Sequence, residues 1–184
     1  LASLWDEADA EGSAFLGRSS LVEQARAVMR ELMVETGETA NLAIADGGQV
    51  VFISQVETHE PIRAFFRPGT RGPIHASGIG KALLAHHAPA AIARIVREQG
   101  LAAFTPATIT DPGRLAEELA AIRARGWAVD DGEGTEGMRC IAAPIFNGFR
   151  EAIAGVSVSG PTVRMERTGG AALRLPGAGW RARA

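Results

Sequence analysis

Two serines on one predicted strand are well placed for binding chemistry. Ser157 and Ser159 lie two positions apart, so in a strand both hydroxyls face the same side of the sheet. On the preceding predicted strand, Cys140 and Ala142 share a face in the same way. Hydroxyls beside small side chains indicate a small polar cavity, and the alternative is that both serines bond to the backbone.

A glycine-rich segment supplies a second set of polar groups. Residues 77–80 (SGIG) open a predicted helix, and the first N–H groups of a helix have no intrahelical acceptor and attract anions. Together with the two serine hydroxyls, these N–H groups predict a site for a small carboxylate.

Two glycine patterns are rejected as nucleotide sites. Residues 132–137 have the spelling G-x-G-x-x-G, but a strand is expected to follow, and Glu133 and Glu136 would repel phosphates. We expect a mobile acidic loop there. Residues 78–81 resemble part of a P-loop, yet Ala82 stands where Ser or Thr is needed. No cofactor is predicted.

The histidines do not predict a metal site, because their spacing matches no ligand pattern. They are His59, His75, His86 and His87. Cys140, alone in a predicted strand, is better read as a small buried side chain than as a nucleophile.

Composition limits the class of protein. The chain has 184 residues, 46% of them hydrophobic, a net charge of -2 and a single cysteine. These values suit one globular domain in a reducing compartment, without a disulfide scaffold. With no apolar run near the ~18 residues of a membrane span, we expect a cytoplasmic protein. The near-neutral charge excludes an overall basic nucleic-acid footprint.

Periodicity predicts an α+β fold, with an antiparallel sheet of about six strands flanked by helices. The predicted helices span residues 20–37, begin near residues 75 and 89, and span 111–126. The predicted strands are 39–45, 49–57, 62–67, 127–130, 138–146 and 151–159. Residues 1–19 are expected to form a linker helix or arm, and residues 166–184 an atypical, irregular tail.

Eight blocks in order resemble the C-terminal effector-binding domain of IclR-type transcriptional regulators. They are ETGET (35–39), NLA (41–43), VE (56–57), HASGIGKALL (75–84), FTPATIT (104–110), GWAVD (126–130), GMRCIAAP (137–144) and SVSGP (157–161). The resemblance implies a GAF-like domain over residues 20–165 that binds a small metabolite, assembles as a dimer or tetramer, and is not an enzyme. The family's winged helix-turn-helix, which binds DNA, would lie upstream of Leu1.

The likeness is greatest to the branch of glyoxylate-responsive allantoin-regulon repressors. This likeness implies that glyoxylate, or a similar 2-oxo acid such as pyruvate, is the effector. The matching ligand-binding positions are Gly78, Ile79, Asp130, Cys140, Ser157 and Ser159. An ionised Asp130 would repel a bound carboxylate, so it is either protonated by burial or accepts from the hydroxyls of a hydrated aldehyde.

Three alternatives stay open. The domain could respond to an aromatic acid, as an aromatic-acid regulator of the same family would. It could be a GAF-like enzyme that uses Cys140 in redox chemistry, although such chemistry usually needs a second cysteine. It could also be a structural dimerisation domain without a ligand.

Overall fold

Six antiparallel strands form one curled sheet in the computed structural model, which describes residues 20–165. The helices and strands of this range are α1 (20–36), β1 (Thr39–Asp46), β2 (Gln49–Val56), β3 (Arg71–Pro73), α2 (Gly78–Leu84), α3 (Pro89–Gln99), α4 (Pro112–Arg125), β4 (Ala128–Asp131), β5 (Met138–Phe146), β6 (Ala152–Pro161) and α5 (Thr162–Met165). The strand order is β3-β2-β1-β6-β5-β4. The predicted α+β class and six-strand antiparallel sheet are therefore confirmed.

Helix α1 covers one face of the sheet. Its apolar residues recur at helical spacing and pack on the residues of β1, β5 and β6 that point to that face. This core contains Leu21, Ala25, Met29, Leu32, Leu42, Ile145, Val156 and Val158. The period of two along β6 sends Val156 and Val158 to α1 and leaves Ser157 and Ser159 for the opposite face.

Helices α2, α3 and α4 cover that opposite face, around Val50, Phe52 and Ala142 of the sheet. The ends of α4 follow local rules: the Asp111 side chain accepts a hydrogen bond from Arg114 N at 2.8 Å, and Gly126 ends the helix at φ +85°. These helices enclose the serine-bearing side of the sheet.

The prediction of a third strand at residues 62–67 is wrong. That segment forms no strand: Ile62 is 70% and Phe65 53% exposed, whereas Ala64 is buried and Phe66 packs against the core. The edge strand β3 instead follows the turn at residues 68–69. Two backbone hydrogen bonds hold this turn against β2: Phe52 N donates to Thr70 O, and Gly69 N donates to Phe52 O. The edge of β2 is thus occupied from residue 69 onward, and β3 pairs with β2 through Arg71–Pro73.

The predicted arm (1–19) and tail (166–184) lie outside the described residues and stay predictions. Within residues 20–165, every helix is too short or too polar to cross a membrane.

Three glycines allow α2 to lie directly against the sheet and the segment before it. A Cβ at Gly78 would come within 2.7 Å of Cys140 Sγ. A Cβ at Gly155 would come within 2.6 Å of Ile79 Cγ2. A Cβ at Gly80 would overlap the backbone carbonyl of Ile74. This backbone contact cannot be relieved by turning a side chain.

Gly80→Ala should therefore destabilise the domain, by about 3 kcal/mol for an overpacked interior. Urea denaturation of the full chain followed by circular dichroism measures the loss. Gly148→Ala is the matched control, because nothing lies within 4 Å of its added Cβ. Equal stability of the two variants would contradict the close approach of α2.

Candidate effector site

A cavity of about 470 Å³ lies on the helix-covered side of the serine-bearing face. All six residues predicted to bind a ligand line it: Gly78, Ile79, Asp130, Cys140, Ser157 and Ser159. The structure thus brings together residues from α2, β4, β5 and β6 that are up to about 80 positions apart in the sequence.

The polar floor of the cavity is a cross-strand row. Asp130 of β4 pairs with Cys140 of β5, which pairs with Ser159 of β6. Ser157 lies two positions along β6, opposite Ala142 and Asn41. Strand parity places these side chains on one face, and the pairing register of the strands places them side by side.

The two serine hydroxyls differ in their partners. Ser159 Oγ accepts from Asn41 Nδ2 at 3.3 Å, and Asn41 Oδ1 accepts from Gln55 Nε2 at 2.9 Å. Ser157 is 1% exposed, and its Oγ has no hydrogen-bond partner among residues 20–165. The Cys140 thiol lies close by, but a thiol is a weak partner. Buried hydroxyls are normally bonded, so Ser157 stands out as a group directed at a ligand.

The beginning of α2 forms the wall above this floor. Ser77 Oγ accepts from Gly80 N at 3.3 Å, and Lys81 N makes the first intrahelical bond to Ser77 O at 2.8 Å. The N–H groups of Gly78 and Ile79 precede that bond. Because Gly78 lacks a side chain, its backbone reaches Cys140 directly.

Asp130 is held by the loop that follows β4. Its Oδ1 accepts from Glu133 N at 2.7 Å and Gly134 N at 3.4 Å. Burial raises the pKa of the Asp130 carboxyl, while these two N–H groups and the charge of Lys81 lower it. Asp130 therefore has one carboxylate oxygen, Oδ1, that is hydrogen-bonded to the loop. Its second oxygen, Oδ2, accepts no hydrogen bond from the described part of the chain.

Two residues behind the cavity were not predicted from the sequence. Lys81 is 1% exposed, and its Nζ forms an ion pair with Glu133 and lies 3.9 Å from Glu118 Oε1. Glu133 lies in the loop that was expected to be mobile and acidic, and its side chain is buried against Lys81. One signal was available: Lys81 is the sole lysine among 19 basic residues.

Hydrogen bonds also fix the loop backbone. Thr105 Oγ1 donates to Gly132 O and Thr108 Oγ1 donates to Glu133 O, each at 2.6 Å. These bonds attach the 132–134 loop to the segment before α4.

The outer part of the cavity is apolar and was also missed. Phe52 and Phe66 stack with ring centroids 4.3 Å apart, and Phe104 also lines the cavity. Each of the three arginines that line the rim is paired with a carboxylate. The pairs are Arg63–Glu57, Arg71–Asp46 and Arg139–Asp131. The site therefore combines a polar inner end with an apolar outer end.

Cys140 is half-buried and lines the cavity. Burial raises the pKa of this thiol to about 11, and the charge of Asp130 adds to the effect. The thiol is neutral at physiological pH, so it is a poor nucleophile and can act as a small polar wall.

Comparison with known protein families decides the identity. Residues 13–175 match the family model of the bacterial transcriptional regulator IclR C-terminal domain. The chain belongs to this family. Its members are transcriptional regulators rather than enzymes, and the chain corresponds to the effector-binding domain of an IclR-family regulator.

Curated relatives agree with this assignment. The chain is 63% identical over 154 residues to the regulator BhcR of Paracoccus denitrificans, covering 84% of the chain and 55% of BhcR. It is 40% identical over 156 residues to the repressor IclR of Escherichia coli, covering 84% and 57%. The HTH-type transcriptional repressor AllR of Escherichia coli is 38% identical over 154 residues, covering 84% of the chain and 57% of AllR. The chain thus spans about half the length of these relatives.

Solved structures of IclR-family proteins have the same fold. The Thermotoga maritima IclR structure gives a TM-score of 0.76 at 32% identity, covering 88% of this chain and 67% of that one. An Acinetobacter PobR inducer-binding domain, a double mutant in complex with 3-hydroxybenzoic acid, gives 0.74 at 26% identity, covering 83% and 91%.

Cys140 should react slowly with iodoacetamide in the native IclR-family domain. A thiol pKa of about 11 instead of 9.0 lowers the thiolate fraction at pH 8 about 100-fold. The rate should rise with pH and recover in urea, where the pKa is ordinary. Since the folded-state pKa is raised, the stabilisation from the neutral thiol is complete below about pH 9 and is lost as pH rises through about 11. Rapid native labelling at pH 8, measured by mass spectrometry, would contradict this assignment.

Proposed function

We propose that this domain binds a small organic acid, glyoxylate or a similar 2-oxo acid such as pyruvate, and thereby modulates DNA binding by a cytoplasmic IclR-type repressor. The observation that carries the proposal is the buried Ser157 hydroxyl, which lines the cavity without a hydrogen-bond partner among residues 20–165. A ligand oxygen that accepts from it would satisfy a donor that folding has already removed from water.

The inner end of the cavity suits a carboxylate. The Ser157 hydroxyl and the N–H groups of Gly78 and Ile79 are donors on two facing walls. The side chain of Lys81, buried in the same helix, adds a positive charge behind this wall. A carboxylate between these groups would gain charge-assisted hydrogen bonds, which are stronger than neutral ones.

Asp130 favours an acid that also carries a hydroxyl donor. Its free oxygen is an acceptor beside the site, where a plain carboxylate would be repelled. Glyoxylate hydrates in water to a geminal diol, and one of those hydroxyls can donate to Asp130. This pairing supports an aldehyde acid over an acid without a donor.

Regulation then follows from differential binding. An acid that binds one arrangement of the domains more tightly shifts the population toward it. In a dimer or tetramer, that shift would change the spacing of the DNA-binding domains. The E. coli relative IclR is a transcriptional repressor, which supports a role in repressing transcription rather than activating it.

An aromatic acid is the second candidate effector. A water molecule occupies about 30 Å³ in the liquid, and a two-carbon acid is only a few times larger. The cavity of about 470 Å³ is therefore far larger than such an acid. The stacked Phe52 and Phe66 would contact a ring, and the PobR neighbour is described with 3-hydroxybenzoic acid. Like hydrated glyoxylate, 3-hydroxybenzoate carries a carboxylate and a hydroxyl donor, so a binding measurement has to distinguish the two candidates.

Ser157→Ala should weaken glyoxylate binding about 10- to 100-fold, the range for a hydrogen bond to a charged group. It should not lower the stability of the unliganded domain, because the hydroxyl has no hydrogen-bond partner in the described part of the chain. Isothermal calorimetry and thermal unfolding measure both quantities. Ser54→Ala is the matched control, a buried serine on β2 that does not line the cavity.

The same calorimetry with wild-type protein tests the choice of effector. Glyoxylate and pyruvate should bind and raise the melting temperature, whereas 3-hydroxybenzoate should bind weakly. Binding of 3-hydroxybenzoate alone would replace the proposed effector with the aromatic one. No binding of any of the three acids would leave the structural dimerisation domain as the better explanation.

A further inference from the structure

The Lys81–Glu133 ion pair joins two walls of the cavity from behind. Lys81 lies on α2, two positions after Ile79, and Glu133 lies in the loop three positions after Asp130. Both side chains are buried, at 1% and 7% exposure. The pair thus connects the wall that offers N–H donors to the wall that offers a carboxylate acceptor.

Glu133 is fixed at three points. Its side chain pairs with Lys81, its carbonyl accepts from Thr108 Oγ1 at 2.6 Å, and its N–H donates to Asp130 Oδ1 at 2.7 Å. The N–H bond commits one carboxylate oxygen of Asp130 to the loop. A displacement of Glu133 would therefore turn the Asp130 carboxyl and move its free oxygen.

Stability is a weak reason to retain this pair. Burying two charges costs several kcal/mol of desolvation, which a hydrophobic pair of similar volume avoids. In addition, Glu133 Oε2 is buried without a hydrogen-bond partner among the described residues, which adds to the cost. A costly arrangement that orients a ligand-facing group points to a role in binding.

We propose that Lys81 and Glu133 are positioning residues that make the site selective for acids carrying a hydroxyl donor. They touch no ligand themselves, and they act by holding the free oxygen of Asp130 toward the bound acid. The inference rests on the proposed function, because it concerns which acids the same cavity distinguishes.

The test compares two acids of two carbons each by calorimetry with the full chain. Hydrated glyoxylate has hydroxyl donors, and acetate has none. The principal variant is K81M/E133M, which removes both charges together and so avoids leaving one buried charge unpaired. E133Q, which keeps the shape of the side chain, is the second variant should the double variant not fold. E118Q is the matched control, because Glu118 lies 3.9 Å from the same ammonium but does not hold the loop.

The wild-type domain should bind glyoxylate at least tenfold more tightly than acetate. In K81M/E133M this ratio should fall below about threefold, with acetate affinity nearly unchanged, and in E133Q it should fall at least threefold. D130N should lower the ratio as far, and adding K81M/E133M to D130N should lower it no further, as expected of residues that act through Asp130. E118Q should keep the wild-type ratio.

If the pair were merely structural, its removal would weaken the binding of both acids equally, or would lower the melting temperature and leave the ratio of affinities unchanged. Either result overturns the proposal. Additive effects of K81M/E133M and D130N would also overturn it. If the wild-type domain binds no acid, the proposed function fails and this inference fails with it. An unchanged ratio with intact glyoxylate binding overturns the positioning role alone.

Discussion

The close contact of α2 with the sheet is the constraint on which the site depends. Gly78 lies on Cys140, and Gly155 of β6 lies under Ile79. Any side chain at these glycines would push the helix away from the strands, and the N–H groups of its first turn would no longer face the serines. The cavity therefore depends on residues that have no side chain, because they bring the backbone N–H groups of α2 close to the polar side chains of the sheet.

Buried charge is the second feature that organises the site, and it is concentrated around a single ammonium group. One buried ammonium, that of Lys81, acts on the carboxylates of Glu133, Glu118 and Asp130. Burial raises the pKa of Glu133 as well as that of Asp130, and Lys81 opposes both shifts. Among the described residues, one ammonium thus faces three carboxylates, so the polar end of the cavity carries no excess positive charge. An incoming anion meets directed donors rather than a general positive field.

Local sequence rules predicted the fold and the floor of the cavity well, since strand parity and helix ends depend on neighbours in the chain. Ser157, Ser159 and Cys140 share a face for that reason. The strand expected at 62–67 was wrong because tertiary hydrogen bonds at Phe52 decide which segment joins the edge. The Lys81–Glu133 pair, 52 residues apart, has no local signature, and a buried glutamate in a glycine-rich loop looks the same in sequence as an exposed one.

The sheet topology also determines when this cavity can exist. Its two central strands, β1 and β6, come from opposite ends of the described chain, and the bond from Asn41 to Ser159 spans 118 residues. Each outer hairpin can pair locally, but the serine floor is completed only when these distant strands meet. Such non-local pairing is slow, because the loop-closure entropy must be overcome first. During synthesis, β6 leaves the ribosome after the other five described strands, so a nascent chain lacks the two serines of the site until nearly all of residues 20–165 have been made.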